Sequence, residues 1–197
     1  LYKFREQHDL ARQLARQVLD RKIENRFGTQ ALFRQTLAFE SARVGDYPAA
    51  LEPYREAFPW AFETPLQVPD SLQDKILDII QIAGLLKLAE PLSERPEQLL
   101  DITEQNVDQF SPGWGVFNLE LNLAGIAVVR GNHDEALEWL NKAWDKKWRQ
   151  GWREILLDDA ILSQLADEPG YQELVARFES DMERQREDAY ELLGIAK

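Results

Sequence analysis

Residues 37–57 read LAFESARVGDYPAALEPYREA, and residues 123–143 read LAGIAVVRGNHDEALEWLNKA. In both stretches apolar residues recur at helical spacing, stop at a glycine, and resume at helical spacing. Each stretch therefore reads as helix, tight turn, helix. Aligned on Gly45 and Gly131, the two share small residues at matching places. Ala38 and Ala124 precede the glycine; Ala50 and Ala136, then Ala57 and Ala143, follow it, with apolar Tyr54 and Leu140 between. Small residues let two helices approach closely, and the glycine supplies the left-handed backbone that such a turn needs. A helical hairpin cannot bury its apolar stripe alone, so repeated hairpins are expected to stack.

The same spacing extends outward in both directions. Leu10, Leu14 and Val18 form a stripe in a first helix within 1–28. The run Ile76, Leu77, Ile79, Ile80, Ile82, Leu85, Leu86 is apolar almost all round and predicts a buried central helix, which Asp70-Ser71 are placed to cap. Pro59, Pro65 and Pro69 mark a non-helical connection before it. Gly84 takes the small position in a degenerate middle unit, whose second helix carries Leu99, Leu100, Ile102 and Val107 towards Phe110. A helix from Val116 to Val129 opens the last unit. Near the end, Tyr171, Leu174, Val175, Phe178 and Met182 line the inner face of a long final helix, whose continuation from Glu183 to Glu187 should project into solvent. No segment alternates as a half-buried strand does, which makes the chain all-α.

These paired segments resemble the tetratricopeptide repeat (TPR). The closing stretch adds to the likeness: Gly151-Trp152, then Leu156-Leu157-Asp158-Asp159, Ile161-Leu162, Leu165, and Asp167-Glu168-Pro169-Gly170-Tyr171 with Leu174. It resembles the C-terminal TPR segments of bacterial multidomain regulators, such as membrane-spanning winged-helix regulators and adenylate cyclases. The resemblance implies one TPR-like domain over 1–197, a right-handed α-solenoid of stacked antiparallel helix pairs. Its parts would be an N-terminal basic helix (1–28), repeat 1 (30–60), a degenerate repeat 2 (71–110), repeat 3 (114–147) and capping helices (152–193). It also implies a non-catalytic protein–protein interaction or regulatory module, and the first residue, Leu1, fits a segment of a longer bacterial protein.

Composition agrees by subtraction. The chain has 197 residues, no Cys, two His and a net charge of −12. That removes disulfides, thiolate chemistry and Cys-ligated zinc, and leaves little for His-based catalysis. The acidity argues against nucleic acid as a partner. No phosphate-cradling glycine loop, Ser-His-Asp set or dinucleotide fingerprint occurs, so no cofactor and no metal are expected. No apolar run reaches the ~20 residues that a membrane span requires. Asp158-Asp159 and the Asp74/Asp78 pair are read as caps and surface charge rather than metal ligands.

Two candidate partner sites follow. By alignment with the repeat, the groove lined by the first helix of each pair includes Gln35, Phe39, Arg43, Asp78, Gln81, Leu85, Asn118, Leu121 and Asn122. Some TPR domains clamp a terminal carboxylate with Lys, Arg and Asn at such positions. Gln35, Phe39, Asn118 and Asn122 do not match that clamp, so a mixed groove for an extended peptide or a helix is expected. It is equally open to filling by the chain's own first or last helix. The second site is a basic, tryptophan-rich run: Trp139, Lys142, Trp144, Lys146, Lys147, Trp148, Arg149, Trp152 and Arg153. It could bind an acidic partner through charge and cation–π contacts, or its Trp residues could seal the last repeat to the cap. The net charge of residues 1–43 is +4 within the acidic whole, so a homodimer or enzyme appendage docked through the first helix is the alternative function, and a small-ligand sensor is a third.

Overall fold

The computed structural model describes residues 8–20, 29–69, 72, 75–106, 119–149 and 151–193, and these contain helices and turns but no strand. The helices are α1 (His8–Asp20), α2 (Thr29–Ala42), α3 (Tyr47–Ala57), α4 (Ile76–Ala89), α5 (Arg95–Gln105), α6 (Leu119–Arg130), α7 (His133–Asp145), α8 (Trp152–Leu157) and α9 (Pro169–Leu193). Single 3-10 turns lie at Pro59–Ala61 and Leu162–Leu165. The expected caps Asp70-Ser71, the helix residues from Val107 to Phe110, and Asn118 fall outside the described residues.

α2 packs along α3, α4 along α5 and α6 along α7, and α1 lies on α2. The pairs meet through α2 with α4, α3 with α4, α4 with α6, and α5 with α6. The turn joining α6 to α7 is so short that the two must run antiparallel. The centre is α4, as its all-round apolar sequence predicts: Ile76, Ile79, Ile80, Ile82, Leu85 and Leu86 are all buried.

The two hairpins of the opening alignment close by the same bonds. Gly45 N–H donates to Ala42 O at 2.9 Å and Asp46 N–H to Ser41 O at 3.0 Å. Gly131 N–H donates to Val128 O at 2.9 Å and Asn132 N–H to Ala127 O at 2.8 Å. This paired pattern satisfies two orphan carbonyls at a helix end, and it requires a left-handed residue at the glycine. Gly45 has φ +78° and Gly131 has φ +80°. The residues that open the second helices are superposable too, Asp46 at φ −87°, ψ 69° and Asn132 at φ −89°, ψ 67°.

α7 ends by the same device with a different residue. Lys147 N–H donates to Trp144 O and Trp148 N–H to Ala143 O, and Lys147 sits at φ +64° without being glycine. The left-handed region costs a residue with a Cβ about 1 kcal/mol. Lys147→Gly is therefore expected to stabilise the chain by up to about 1 kcal/mol in urea denaturation.

One small-residue assignment does not hold. Ala143 is fully buried, but Ala57 is exposed. α3 stops there: Phe58 N–H bonds back to Tyr54 O at 2.7 Å, and the chain turns so that Phe58 and Ala61 are buried in its place.

Gly84 is a small position with an unforeseen neighbour. A Cβ there would overlap Ile161 Cδ1 and come within 2.8 Å of Ile161 Cγ1 and 3.2 Å of Val129 Cγ2. Gly→Ala inside a helix ordinarily stabilises by about 1 kcal/mol. Here overpacking against Ile161 outweighs that gain, and Gly84→Ala is expected to destabilise by about 1–2 kcal/mol. Adding Ile161→Val, which removes the Cδ1 atom, should recover part of the loss. Additive losses in a double-mutant cycle would refute the contact.

The C-terminal part is built onto α6 and α7. The Leu162–Leu165 turn rests on α6 and α8, and α9 on α7. Gly170 faces Leu137, and Arg177 reaches Asn141. Tyr171, Leu174 and Phe178 are buried, Val175 and Met182 partly so. Residues 183–193 are exposed, as the charged sequence predicts.

Candidate functional site

The residues predicted to line the groove fall into two sets, partly buried or exposed on the α2 side and mostly buried on α4 and α6. On α2, Gln35 and Phe39 are partly buried, and just past its end Arg43 is exposed with Glu40 at 3.6 Å. On α4 and α6, Asp78, Gln81, Leu85 and Asn122 are buried and Leu121 partly so. Helical register puts Asp78, Gln81 and Leu85 on one face of α4, and two of the three already have partners. Asp78 Oδ2 accepts a hydrogen bond from Arg34 Nη2 at 2.9 Å. Gln81 Nε2 donates to Asp159 Oδ2. Among the described residues, the turn between α8 and Leu162 reaches α4 here, Asp159 at Gln81 and Ile161 at Gly84.

Asp159 organises that turn. Its Oδ1 accepts the N–H groups of Ile161 and Leu162, both at 2.9 Å. Its desolvation outweighs these bonds and the one from Gln81, so its pKa is raised. Tyr54 is fully buried beside it; burial first, then the carboxylates of Asp78 and Asp159, push its pKa well up. The cluster adds charge and hydrogen bonds to the apolar packing among α2, α3, α4 and the C-terminal turn.

A raised carboxyl pKa means that the folded chain holds the proton more firmly than the unfolded one. The neutral form of Asp159 therefore contributes stability that is complete below the unfolded value of about 4 and is lost as pH rises through the folded value. Asp159→Asn keeps an oxygen for the two backbone N–H groups and cannot ionise. The stability of the wild type relative to Asp159→Asn should rise as pH falls towards about 4 and then level off. A gap independent of pH in urea titrations would contradict this.

The basic, tryptophan-rich run is brought together, largely as packing. Phe178 is fully buried among three tryptophans. Trp144 and Trp148 meet its ring edge-on at 4.7 and 5.3 Å, and Trp152 stacks on it at 5.4 Å. Trp148 and Trp152 are buried. Arg149 lies 3.6 Å over the Trp144 ring, donates to Trp144 O and Trp148 O, and pairs with Asp181 at 2.6 Å. That bond to Arg149 is the main reason the Asp181 pKa is lowered. Arg153 pairs with Glu179 at 3.4 Å, and Lys146 pairs with Glu120. Lys142 lies over Trp139 at 3.7 Å, and Lys142 and Lys147 are exposed.

Arg34, Tyr54, Asp159 and Phe178 were not singled out from the sequence as site residues. A signal existed for one of them, Arg34, in its pairing with the predicted Asp78. Arg34 lies one turn before Leu37 and Ala38 on the buried face of α2, and Asp78 lies one turn before Ile82 on that of α4. A charge on each of two buried stripes asks for a partner.

Of the remaining candidates, Asp74 lies outside the described residues. His133 Nδ1 lies 2.8 Å from Glu168 Oε1, tying the start of α7 to the start of α9. Among the described residues no group of three His, Cys, Asp or Glu is placed to hold a metal ion. No described helix is long and apolar enough to cross a membrane. No protein-family model, curated protein or solved structure matches the chain.

Proposed function

We infer that the chain is a non-catalytic module that binds a protein or peptide, a right-handed TPR-like stack of antiparallel helix pairs within a larger regulatory protein. The observation that supports this most is the duplicated hairpin. Gly45 and Gly131 make the same two closing bonds, and the residues that follow share one backbone conformation. A repeated helical hairpin serves as a scaffold whose exposed helix faces recognise extended partners. The usable part of that face is the α2 side, Gln35, Phe39 and Arg43, with the exposed Lys142 and Lys147 as a separate cationic surface.

The test is fluorescence anisotropy against a panel of acidic and neutral extended peptides. Phe39→Ala and Arg43→Glu alter the α2 side and none of the buried residues on α4 and α6. Each is expected to weaken the best binder at least tenfold. A panel that binds nothing, or that binds both variants as well as the wild type, refutes the reading. One observation favours the appendage alternative: Leu192 and Leu193 at the end of α9 are 87% and 67% exposed. Light scattering decides it, since an oligomerisation appendage must be larger than a monomer at micromolar concentration.

A further inference from the structure

Residues 158–162 cross from α8 over the faces of α6 and α4 that would otherwise line the groove. They make contact chiefly through side chains. The Asp159 carboxylate takes the Gln81 amide of α4. Two residues on, Ile161, only 1% exposed, sits against Gly84 of α4, which Val129 of α6 also approaches. The missing Cβ of Gly84 is the hollow into which Ile161 fits. Because Asp159 also holds the N–H groups of Ile161 and Leu162, the carboxylate and the aliphatic knob are presented as one rigid unit. A polar anchor and one β-branched side chain in a glycine hollow are the means by which a surface recognises a short linear peptide.

We propose that residues 158–162 are a resident, displaceable occupant of the groove. The outside ligand that competes for it is a peptide segment with Asp followed two residues later by Ile or Val. The proposal rests on the reading that this helix face binds peptides, and it adds both the ligand's chemistry and its regulation. The segment lies between two helices, and its only regular structure is the start of a single 3-10 turn. Lifting the segment breaks the Gln81 bond and the Ile161 contact but no bond within a long helix. An outside peptide would bind more weakly to the closed chain, in proportion to how rarely the segment lifts.

Two measurements on the full chain test this. The first uses a fluorescein-labelled peptide of residues 155–168. It should bind the Asp159→Ala chain, whose own segment has lost its anchor, at least tenfold more tightly than the wild type. A control peptide with Asp in place of Ile161 should bind at least tenfold more weakly than the native peptide. Equal binding to both chains, or by both peptides, overturns the proposal. The second needs no variant and decides the matter if Asp159→Ala fails to fold. In native-state hydrogen exchange, the amides of Ile161 and Leu162 should open at least tenfold more often than those of Ile80 and Ile126. Opening at the same frequency overturns it. If the segment proves fixed while panel peptides still bind through Phe39 and Arg43, the resident occupant falls and the peptide-binding reading stands. If neither the panel nor the 155–168 peptide binds, both fall.

Discussion

Replacing Phe178 by alanine is expected to destabilise the chain by about 3–5 kcal/mol, the range for truncating a fully buried aromatic. The residue has no exposure and three indole neighbours, with ring centroids between 4.7 and 5.4 Å away. Each such ring pair adds roughly 0.5–1.5 kcal/mol to area burial alone. The neighbours come from three places: the end of α7, the loop after it and the start of α8. The hole would therefore open where α9 is fastened to the rest. Since a domain is stable by only about 5–15 kcal/mol, the urea midpoint should fall sharply. Tryptophan emission should shift to the red as Trp148 and Trp152 meet water. Phe178→Leu keeps most of the volume and should cost under about 2 kcal/mol. A Phe178→Ala chain within 1 kcal/mol of the wild type would mean that the aromatic cluster does not hold the cap.

That cluster also shows what local spacing could reveal. Trp144, Trp148 and Trp152 stand four apart, which on its own continues the stripe of α7. The chain instead breaks at Lys147 and Gly151, both left-handed, and still brings the three rings around one phenylalanine. The glycine at 151 was a readable stop. The lysine at 147 was not, because only the bonds to Trp144 O and Ala143 O disclose that it stands where the other two hairpins have glycine.

The groove failed to read for a related reason. Helical period tells which residues share a face of one helix, as Asp78, Gln81 and Leu85 do on α4. It says nothing about what arrives from 44 residues away, as Arg34 does for Asp78, or from 78 away, as Asp159 does for Gln81. A polar residue on an apolar face is equally the mark of an open groove and of a buried pair. The duplicated turn, by contrast, is made of residues a few positions apart, so its glycines and the small residues Ala38, Ala50, Ala124 and Ala136 were legible, whereas Ala57, twelve beyond the glycine, was not.

Asp78→Ala is expected to cost about as much as the loss of Phe178, for an electrostatic reason. Arg34 is 9% exposed, and its guanidinium lies 5.0 Å over the Phe58 ring with one nitrogen on Asp78. Removing the carboxylate strands a buried cation, and breaking such a pair typically costs 3–5 kcal/mol. Most of that cost is the penalty on the partner left behind, so it should vanish when both charges go. Arg34→Met with Asp78→Leu replaces the pair by apolar groups of similar reach. The double variant should be within about 1 kcal/mol of the wild type, or more stable. The two results together separate roles that stability alone confuses. If the double variant folds well and binds the same peptides as the wild type, the pair only sets the register of α2 against α4. If it folds well and binds the 155–168 peptide differently, the charge on Asp78 is felt at Asp159 through the Tyr54 cluster, and the register of the first pair is coupled to the closing of the groove. If the double variant is as unstable as Asp78→Ala, the loss belongs to packing around α4 and not to an orphaned charge.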